Sequence, residues 1–133
     1  IETGMRRLVC DTLDFVTNVE PRSYPQGVAV EVFRTDAFRK AYRQMNHPDD
    51  FEHVSRYFYR NDTQFRIGRL SAADTDYTDI RLTVDSEDDL ARADTLIRRL
   101  GPAYENSAWS QIVAAYRECW PRNSKQPVEP ARA

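Results

Sequence analysis

Cysteine and histidine are scarce in this sequence. The 133 residues include two cysteines, Cys10 and Cys119, and two histidines, His47 and His53. The cysteines lie too far apart in the chain to show metal-ligand spacing, which argues against a zinc site built on them. We expect two buried, reduced thiols, as is typical of a cytoplasmic protein.

The sequence also lacks a long apolar run and a strong excess of either charge. No stretch approaches the roughly 20 apolar residues that a membrane helix needs, and no signal peptide is visible. The formal net charge is −2, so bulk electrostatics do not attract this chain to nucleic acid or to a membrane surface. With 41% hydrophobic and 30% charged residues, the composition is typical of a globular protein with a real core. We therefore expect neither nucleic acid nor a membrane among its partners.

The first residues already follow a helical pattern. Ile1, Met5, Leu8 and Val9 recur at helical spacing, and the chain does not begin with methionine. The one plausible capping residue, Thr3, lies inside that pattern rather than before it. This favours the interpretation that the sequence is part of a longer protein.

Hydrophobic periodicity predicts an alternation of strands and helices. The predicted strands are Phe15–Thr17, Val28–Phe33, Gln64–Leu70 and Asp79–Val84, and the predicted helices cover residues 2–11, 35–45, 51–60, 87–100 and 107–119. Such alternation is typical of an α/β fold, here with a small sheet. The polar, proline-containing segment 122–133 is expected to be a disordered tail.

The stretch Asp79–Leu90 predicts a strand followed directly by a helix. The hydroxyl of Ser86 can cap the first amides of the helix, and Asp89 can reach back as in a capping box. The helix carries a predicted apolar stripe made of Leu90, Ala93, Ile97 and Leu100.

Asp85 therefore lies where a predicted strand ends and a helix begins. In open α/β sheets, ligands bind in the crevice outside the carboxyl ends of the strands. Two interpretations of Asp85 stay open at this point. It is a turn or cap residue, as many aspartates at such junctions are, or it is a ligand of Mg²⁺, which proteins hold with one or two carboxylates together with substrate phosphates and water.

Two further acidic positions invite a chemical interpretation. Glu31 interrupts the apolar strand Val28–Phe33, where an acid must be paired or hydrogen-bonded. It can meet an arginine across the sheet, or accept hydrogen bonds from the hydroxyls of a ligand. Glu52 and His53 follow a proline turn on a predicted helix, where His53 is either an ordinary surface residue or a catalytic one.

The predicted helix 51–60 carries more apolar surface than one face of a short helix needs. Its aromatic residues are Phe51, Tyr57, Phe58 and Tyr59. They either complete the core or form a two-fold dimer interface in which Tyr57 or Tyr59 contacts the partner.

Three runs, in this order, resemble a known family. They are Tyr24-Pro-Gln-Gly-Val-Ala-Val-Glu-Val-Phe33, Phe51-Glu-His-Val-Ser-Arg-Tyr57 and Leu82-Thr-Val-Asp-Ser-Glu-Asp-Asp-Leu90. They resemble runs in cytidylyltransferases of the spore coat polysaccharide type, which are related to the enzymes that make CMP-activated acidic sugars. The resemblance extends over roughly residues 11–100, and three ordered matches make it fairly specific.

The resemblance implies a partial nucleotide-diphospho-sugar transferase fold, a Rossmann-like α/β fold of which residues 1–121 are the carboxyl-terminal half. It implies a mixed sheet flanked by helices. The family's glycine-rich, basic phosphate loop belongs to an amino-terminal half that binds CTP, and it has no counterpart in these residues. The implied reaction transfers CMP from CTP to a sugar and releases pyrophosphate.

The resemblance also assigns roles to residues, although it assigns no catalytic residue here. The implied substrate-binding residues are Arg22, Tyr24, Gln26, Gly27, Glu31, Glu52 and His53, and Asp85 is the implied ligand of a Mg²⁺ cofactor. The implied partners are CTP, a sugar and a second copy of the chain. The family has an aspartate where this chain has Ala29, which leaves open an alternative function as a non-catalytic interaction module.

Overall fold

The structure is a computed structural model that describes residues 1–72 and 75–122. The helices are α1 (Glu2–Cys10), α2 (Thr35–Tyr42), α3 (Pro48–Glu52), α4 (Val54–Arg60), α5 (Glu87–Leu100) and α6 (Trp109–Cys119). The strands are β1 (Phe15–Thr17), β2 (Glu31–Phe33) and β3 (Ile67–Arg69). Short 3-10 turns lie at Asp62–Gln64 and Tyr104–Asn106. Two compact units divide the chain: the first is Ile1–Arg81 and the second begins at Leu82. No described helix is long and apolar enough to cross a bilayer.

The first unit contains a mixed sheet in the order β2–β1–β3. The central strand β1 is antiparallel to β2 and parallel to β3. Thr17, the last residue of β1, lies in register with Glu31 on one side and with Arg69 on the other. The predicted arrangement of a mixed sheet with flanking helices is confirmed.

The core of the first unit lies on the face of the sheet that carries Phe15. Phe15 is fully buried and stacks on Phe33 across the β1–β2 pair, with ring centroids 4.3 Å apart. Phe58 of α4 packs against both rings. The other buried members of this core are Ala37, Ala41, Met45, Tyr57 and Phe65. Helices α2 and α4 therefore cover this face.

The opposite face of the sheet packs against α1. Gly4 of α1 lies so close to the sheet that an added Cβ would come within 3.2 Å of a Val32 methyl group. At Gly68 in β3, an added Cβ would overlap the Leu13 side chain. Small residues at these two positions allow α1 and the following turn to approach the sheet closely.

Asp14 fastens the start of β1 to its neighbours. Its carboxylate accepts a hydrogen bond from the Arg66 amide at 2.8 Å and pairs with the Arg66 guanidinium at 3.3 Å. Its carbonyl accepts from the Arg34 amide at 2.9 Å. Burial by itself would raise the pKa of the Asp14 carboxyl, but the hydrogen bonds and charge of Arg66, helped by Arg34, hold that pKa below its ordinary value.

The prediction of a strand over Asp79–Val84 is wrong. Ile80 is fully buried, as the alternation predicted, and its carbonyl accepts a hydrogen bond from the Gln26 amide at 2.9 Å. Beyond that, a single isolated bridge joins Gln26 to Arg81. The neighbouring backbone around Gln26 is a turn rather than a strand, so no ladder can continue and the segment stays irregular.

Two other strands are shorter than predicted. Residues Val28 and Val30 precede β2, and the side chain of Asn18 binds both of them, donating to the Val28 carbonyl and accepting from the Val30 amide, each at 2.7 Å. A buried side chain here replaces part of the backbone ladder. Before β3, the 3-10 turn Asp62–Gln64 takes up the start of the predicted strand.

The predicted helix 51–60 is two helices. Pro48 is at the start of α3, where its missing amide costs nothing, and His47 caps that helix by accepting from the Asp49 amide. The chain leaves helical geometry at His53, with φ −125° and ψ 70°, before α4 begins. Tyr57 lies in the core and Tyr59 packs against it, so both rings are accounted for within the monomer.

In the second unit, the capping of α5 is confirmed but its predicted apolar stripe is wrong. Ser86 accepts from the Asp89 amide at 3.2 Å, and Asp89 is buried. Leu90 is 61% exposed and Ile97 is also exposed, whereas Leu96 is buried. The buried face is rotated towards Asp89 because that carboxylate accepts hydrogen bonds from its own cap and pairs with Arg92.

Two other expectations concern the cysteines and the tail. Cys10 is exposed and Cys119 half-buried, so the prediction of two buried thiols is wrong for Cys10, which ends α1 on its outer side. The predicted tail lies outside the described residues except for its first residue, Arg122.

The aromatic core predicts a large difference between two phenylalanines. Phe58 is fully buried and Phe51 is 53% exposed. Phe58→Ala is expected to lower the free energy of unfolding by about 3–5 kcal/mol, because it leaves a cavity among packed rings. Phe51→Ala is the matched control and is expected to cost under about 1 kcal/mol at a protein concentration at which the chain is monomeric. Denaturant unfolding followed by circular dichroism measures both, and equal losses would contradict this description of the core.

The contacts of Asp14 predict a dependence of stability on pH. A carboxyl whose folded pKa is lowered stabilises the fold above its unfolded pKa, and that stabilisation is lost as the pH falls through the folded pKa. Asp14→Asn is expected to lower the free energy of unfolding by about 1 kcal/mol at pH 7, and the difference should vanish in acid. Asp11→Asn, which breaks an exposed pair with Arg7, is the control. Parallel pH curves for the wild type and Asp14→Asn would refute the assignment.

Candidate functional site

Three polar side chains meet at the carboxyl end of β1. Thr17 ends β1 and is fully buried, Glu31 begins β2 and is partly exposed, and Tyr59 reaches the same place from α4. The Tyr59 hydroxyl lies 2.6 Å from Glu31 Oε1 and 2.8 Å from Thr17 Oγ1. We call Thr17, Glu31 and Tyr59 the Glu31 cluster.

The hydrogen bonds of this cluster run in one direction. Tyr59 has a single hydroxyl hydrogen and donates it to the Glu31 carboxylate, which can only accept. The Thr17 hydroxyl must then donate to the Tyr59 oxygen. Thr17 Oγ1 in turn accepts from the backbone amide of Val19 at 2.9 Å. A chain of three hydrogen bonds therefore leads from the backbone to the carboxylate.

Burial and the adjacent carboxylate keep Tyr59 protonated. Burial raises the pKa of the Tyr59 phenol well above its ordinary value, and the hydrogen bond to Glu31 raises it further, against the opposing hydrogen bond from Thr17. Tyr59 is therefore a neutral donor throughout the physiological pH range. Its side chain can orient Glu31, and it is not poised to act as a base.

The loop before β2 holds four of the residues implied as substrate-binding. Arg22 lies in an exposed turn. The Tyr24 hydroxyl donates to the Ser71 carbonyl at 3.2 Å, and the bridge at Gln26 holds the loop against the segment after β3. Gly27 has a φ of +100°, a conformation that side chains rarely adopt. The loop is therefore fixed by backbone contacts, with Gln26 and Gly27 at its exposed surface.

Glu52 and His53 lie at the break between α3 and α4. Both are exposed, and their side chains approach each other at 3.9 Å. Neither residue has a hydrogen bond to the Glu31 cluster within the described part of the chain. The member of this region that reaches Glu31 is Tyr59.

Asp85 lies immediately before the cap of α5 and is exposed. Its amide donates to Asp89 Oδ2 at 3.1 Å, so its backbone belongs to the capping structure. Among residues 1–72 and 75–122, no three His, Cys, Asp or Glu side chains are grouped so that they can hold a metal ion.

The sequence did contain a signal for the Glu31 cluster. Residues two apart in a strand share a face, so Thr17 shares the face of Phe15, and Glu31 shares that of Phe33. The contact of Phe15 with Phe33 therefore brings Thr17 beside Glu31. The position of Tyr59 had no such signal, since it depends on the break in the helix at His53.

Comparisons with known proteins give one informative match. The chain matches no protein-family model and no curated protein. Its structure is similar to that of a cytidylyltransferase from Leptospira borgpetersenii serovar Hardjo-bovis (strain JB197), with a TM-score of 0.73 and 19% sequence identity. The match covers 84% of this chain and 45% of that protein, so this chain spans less than half of its length. The predicted fold is confirmed: the chain has an α/β fold like that of part of a cytidylyltransferase.

Proposed function

We propose that this chain is the sugar-binding and dimer-forming carboxyl-terminal part of a nucleotidyltransferase that transfers CMP from CTP to a sugar. The observation that carries the proposal is the Glu31 cluster, placed at the carboxyl end of the parallel strand pair β1–β3 in a fold similar to that of a cytidylyltransferase. In open α/β sheets this end of the strands is where ligands bind.

The proposed reaction needs no covalent bond between the protein and its substrates. A sugar hydroxyl oxygen forms a bond to the α-phosphorus of CTP, the bond from that phosphorus to the pyrophosphate oxygen breaks, and the hydroxyl proton passes to solvent. Positioning and charge neutralisation provide most of the rate in such transfers. In this proposal Glu31 accepts a hydrogen bond from a sugar hydroxyl, and the loop that contains Arg22, Tyr24, Gln26 and Gly27 lines the sugar site.

The metal in this proposal is Mg²⁺, with Asp85 as the ligand that this chain contributes. The exposed position of Asp85 and the absence of a three-residue metal cluster in the described ranges suit a single protein carboxylate rather than a complete metal cage. When bound, Mg²⁺ would neutralise phosphate charge. The negative first turn of α5 is already explained by the helix dipole and needs no metal.

The alternative is a non-catalytic interaction module that keeps the scaffold. It is favoured by Ala29, which is exposed beside β2 where the family that this sequence resembles has an aspartate. The two functions differ in one measurement. The full-length protein should release pyrophosphate from CTP in the presence of free acidic sugars if it is an enzyme, and should release none if it is a module.

We also propose that the chain forms a homodimer through an exposed aromatic patch. Tyr42 and Phe51 are 57% and 53% exposed and meet edge to face, with ring centroids 5.9 Å apart. Arg39 of α2 and Arg43, directly after the end of α2, line the surface beside Tyr42, and Glu52 follows Phe51 at the end of α3. An apolar patch that carries both signs of charge can meet a second copy of itself across a two-fold axis.

The metal proposal predicts the effect of removing one carboxylate. In the full-length protein, Asp85→Asn is expected to reduce the CTP- and Mg²⁺-dependent release of pyrophosphate at least about 100-fold, because Asn keeps the shape but not the charge of the ligand. Asp88→Asn is the matched control, since it makes the same change at an exposed aspartate in the first turn of α5, and it should leave the rate nearly unchanged. Equal rates in wild type and Asp85→Asn would contradict the role of Asp85 as a metal ligand and leave it a residue beside the helix cap.

The dimer proposal predicts a surface substitution that dissociates without unfolding. Phe51→Asp should convert the dimer to a monomer in light scattering of the full-length protein at micromolar concentration, because it places charge at the centre of an apolar contact. Tyr104→Asp, at an exposed aromatic residue in the second unit, should leave the dimer intact. A wild-type monomer under these conditions would exclude the interface.

A further inference from the structure

The geometry points to Tyr59 as a positioning residue that holds Glu31 for a hydroxyl-bearing ligand, with Thr17 as the link between Tyr59 and the backbone. This inference rests on the proposed function, since it concerns how the same site recognises its sugar. Tyr59 does not contact the ligand in this account. It fixes the group that does.

The hydrogen bond from Tyr59 limits the freedom of the Glu31 side chain. Strand β2 is an edge strand, Glu31 is its first residue, and the residue is partly exposed. A glutamate side chain in such a place samples many rotamers, and fixing it on ligand binding costs affinity. The 2.6 Å hydrogen bond from Tyr59 removes much of that freedom before a ligand arrives.

Tyr59 is itself held in place by Phe15 and Thr17. Its ring packs beside Phe15, with centroids 5.6 Å apart, and its oxygen is held by the fully buried Thr17. Thr17 is held in turn by the Val19 amide. Each member of this chain of hydrogen bonds is fixed by the member before it, so the direction of the Tyr59 hydroxyl is set by the sheet.

The two carboxylate oxygens of Glu31 differ in their contacts. Tyr59 occupies Oε1 of Glu31, and within the described part of the chain Oε2 receives no hydrogen bond. A carboxylate oxygen only accepts, so this position selects a ligand group that donates. A sugar hydroxyl meets that requirement, whereas a phosphate or carboxylate oxygen is repelled.

The test compares a buried tyrosine, Tyr57, with the half-buried Tyr59, and each variant loses the same atom. Tyr59→Phe removes the hydroxyl that binds Glu31, and Tyr57→Phe removes a hydroxyl that donates to Gln44 at 3.0 Å. The full-length protein is assayed with CTP and three probe sugars: N-acetylneuraminate, 3-deoxy-D-manno-octulosonate and glucuronate. Tyr59→Phe is expected to raise the KM for the accepted sugar about tenfold with kcat changed little, the pattern of lost uniform binding. Tyr57→Phe should leave that KM unchanged.

Two further measurements keep the test decisive. Thr17→Val should raise the same KM by a smaller factor, and it stands in for Tyr59→Phe if that variant does not fold. Carbon-13 NMR of the tyrosine rings follows Tyr59 directly. Because Tyr59 donates to the Glu31 carboxylate at 2.6 Å, Glu31→Gln should shift the Tyr59 Cζ resonance at neutral pH.

The outcomes separate this inference from the proposal beneath it. If the wild type neither binds nor turns over any probe sugar, the proposed function is overturned, and the ligand role of Glu31 with it. If the wild type is active but Tyr59→Phe has the KM of Tyr57→Phe, the inference alone is overturned, and Tyr59 is a core residue. A Tyr59 Cζ resonance that Glu31→Gln leaves unmoved would also overturn it, because the two side chains would then not be hydrogen-bonded.

Discussion

The pairing of β1 with a strand on each side is the constraint on which the first unit depends. Phe15, Val16 and Thr17 are all buried, so this strand has no solvent-exposed face. Its backbone groups must be satisfied by β2 and β3, since unpaired groups inside the protein would cost about 1–3 kcal/mol each. Asp14 fixes one end of this pairing and Asn18 fixes the other, and both act by binding backbone groups of neighbouring segments. The register that results sets Thr17 opposite Glu31.

Buried polar side chains in both units connect neighbouring segments of the chain. In the first unit Asp50 is buried beside Arg60, and Asn18 bridges two residues ahead of β2. In the second unit Asp89 is buried, accepts hydrogen bonds from the start of α5 and pairs with Arg92. A buried charge without such partners would be costly. The ends of the short strands and helices are thus stabilised partly by side chains.

Periodicity predicted those parts of the fold that local patterns determine. The ends of α5 were predicted because Ser86 and Gly101 mark them locally, although the apolar spacing indicated the wrong face, and β1 was predicted from its short apolar run. The strand expected at Asp79–Val84 failed because strand formation also needs a partner, and the segment beside it is a turn at Gln26. The site followed the same division. Glu31 was recognised from its own setting, an acid within an apolar strand, whereas Tyr59 was found only in the structure, since a break in the helix brings it there.

The three sequence runs that resemble cytidylyltransferases have different physical roles in this chain. The run Tyr24–Phe33 supplies Glu31 and the fixed loop before it, and the run Phe51–Tyr57 leads into the turn of α4 that carries Tyr59. Tyr59 lies two residues past the second run, and its hydrogen bond to Glu31 joins the first run to α4. The run Leu82–Leu90 belongs to the second unit and forms the cap of α5. Glu31, proposed to accept from the sugar hydroxyl, and Asp85, proposed as a metal ligand, therefore belong to different units of the chain.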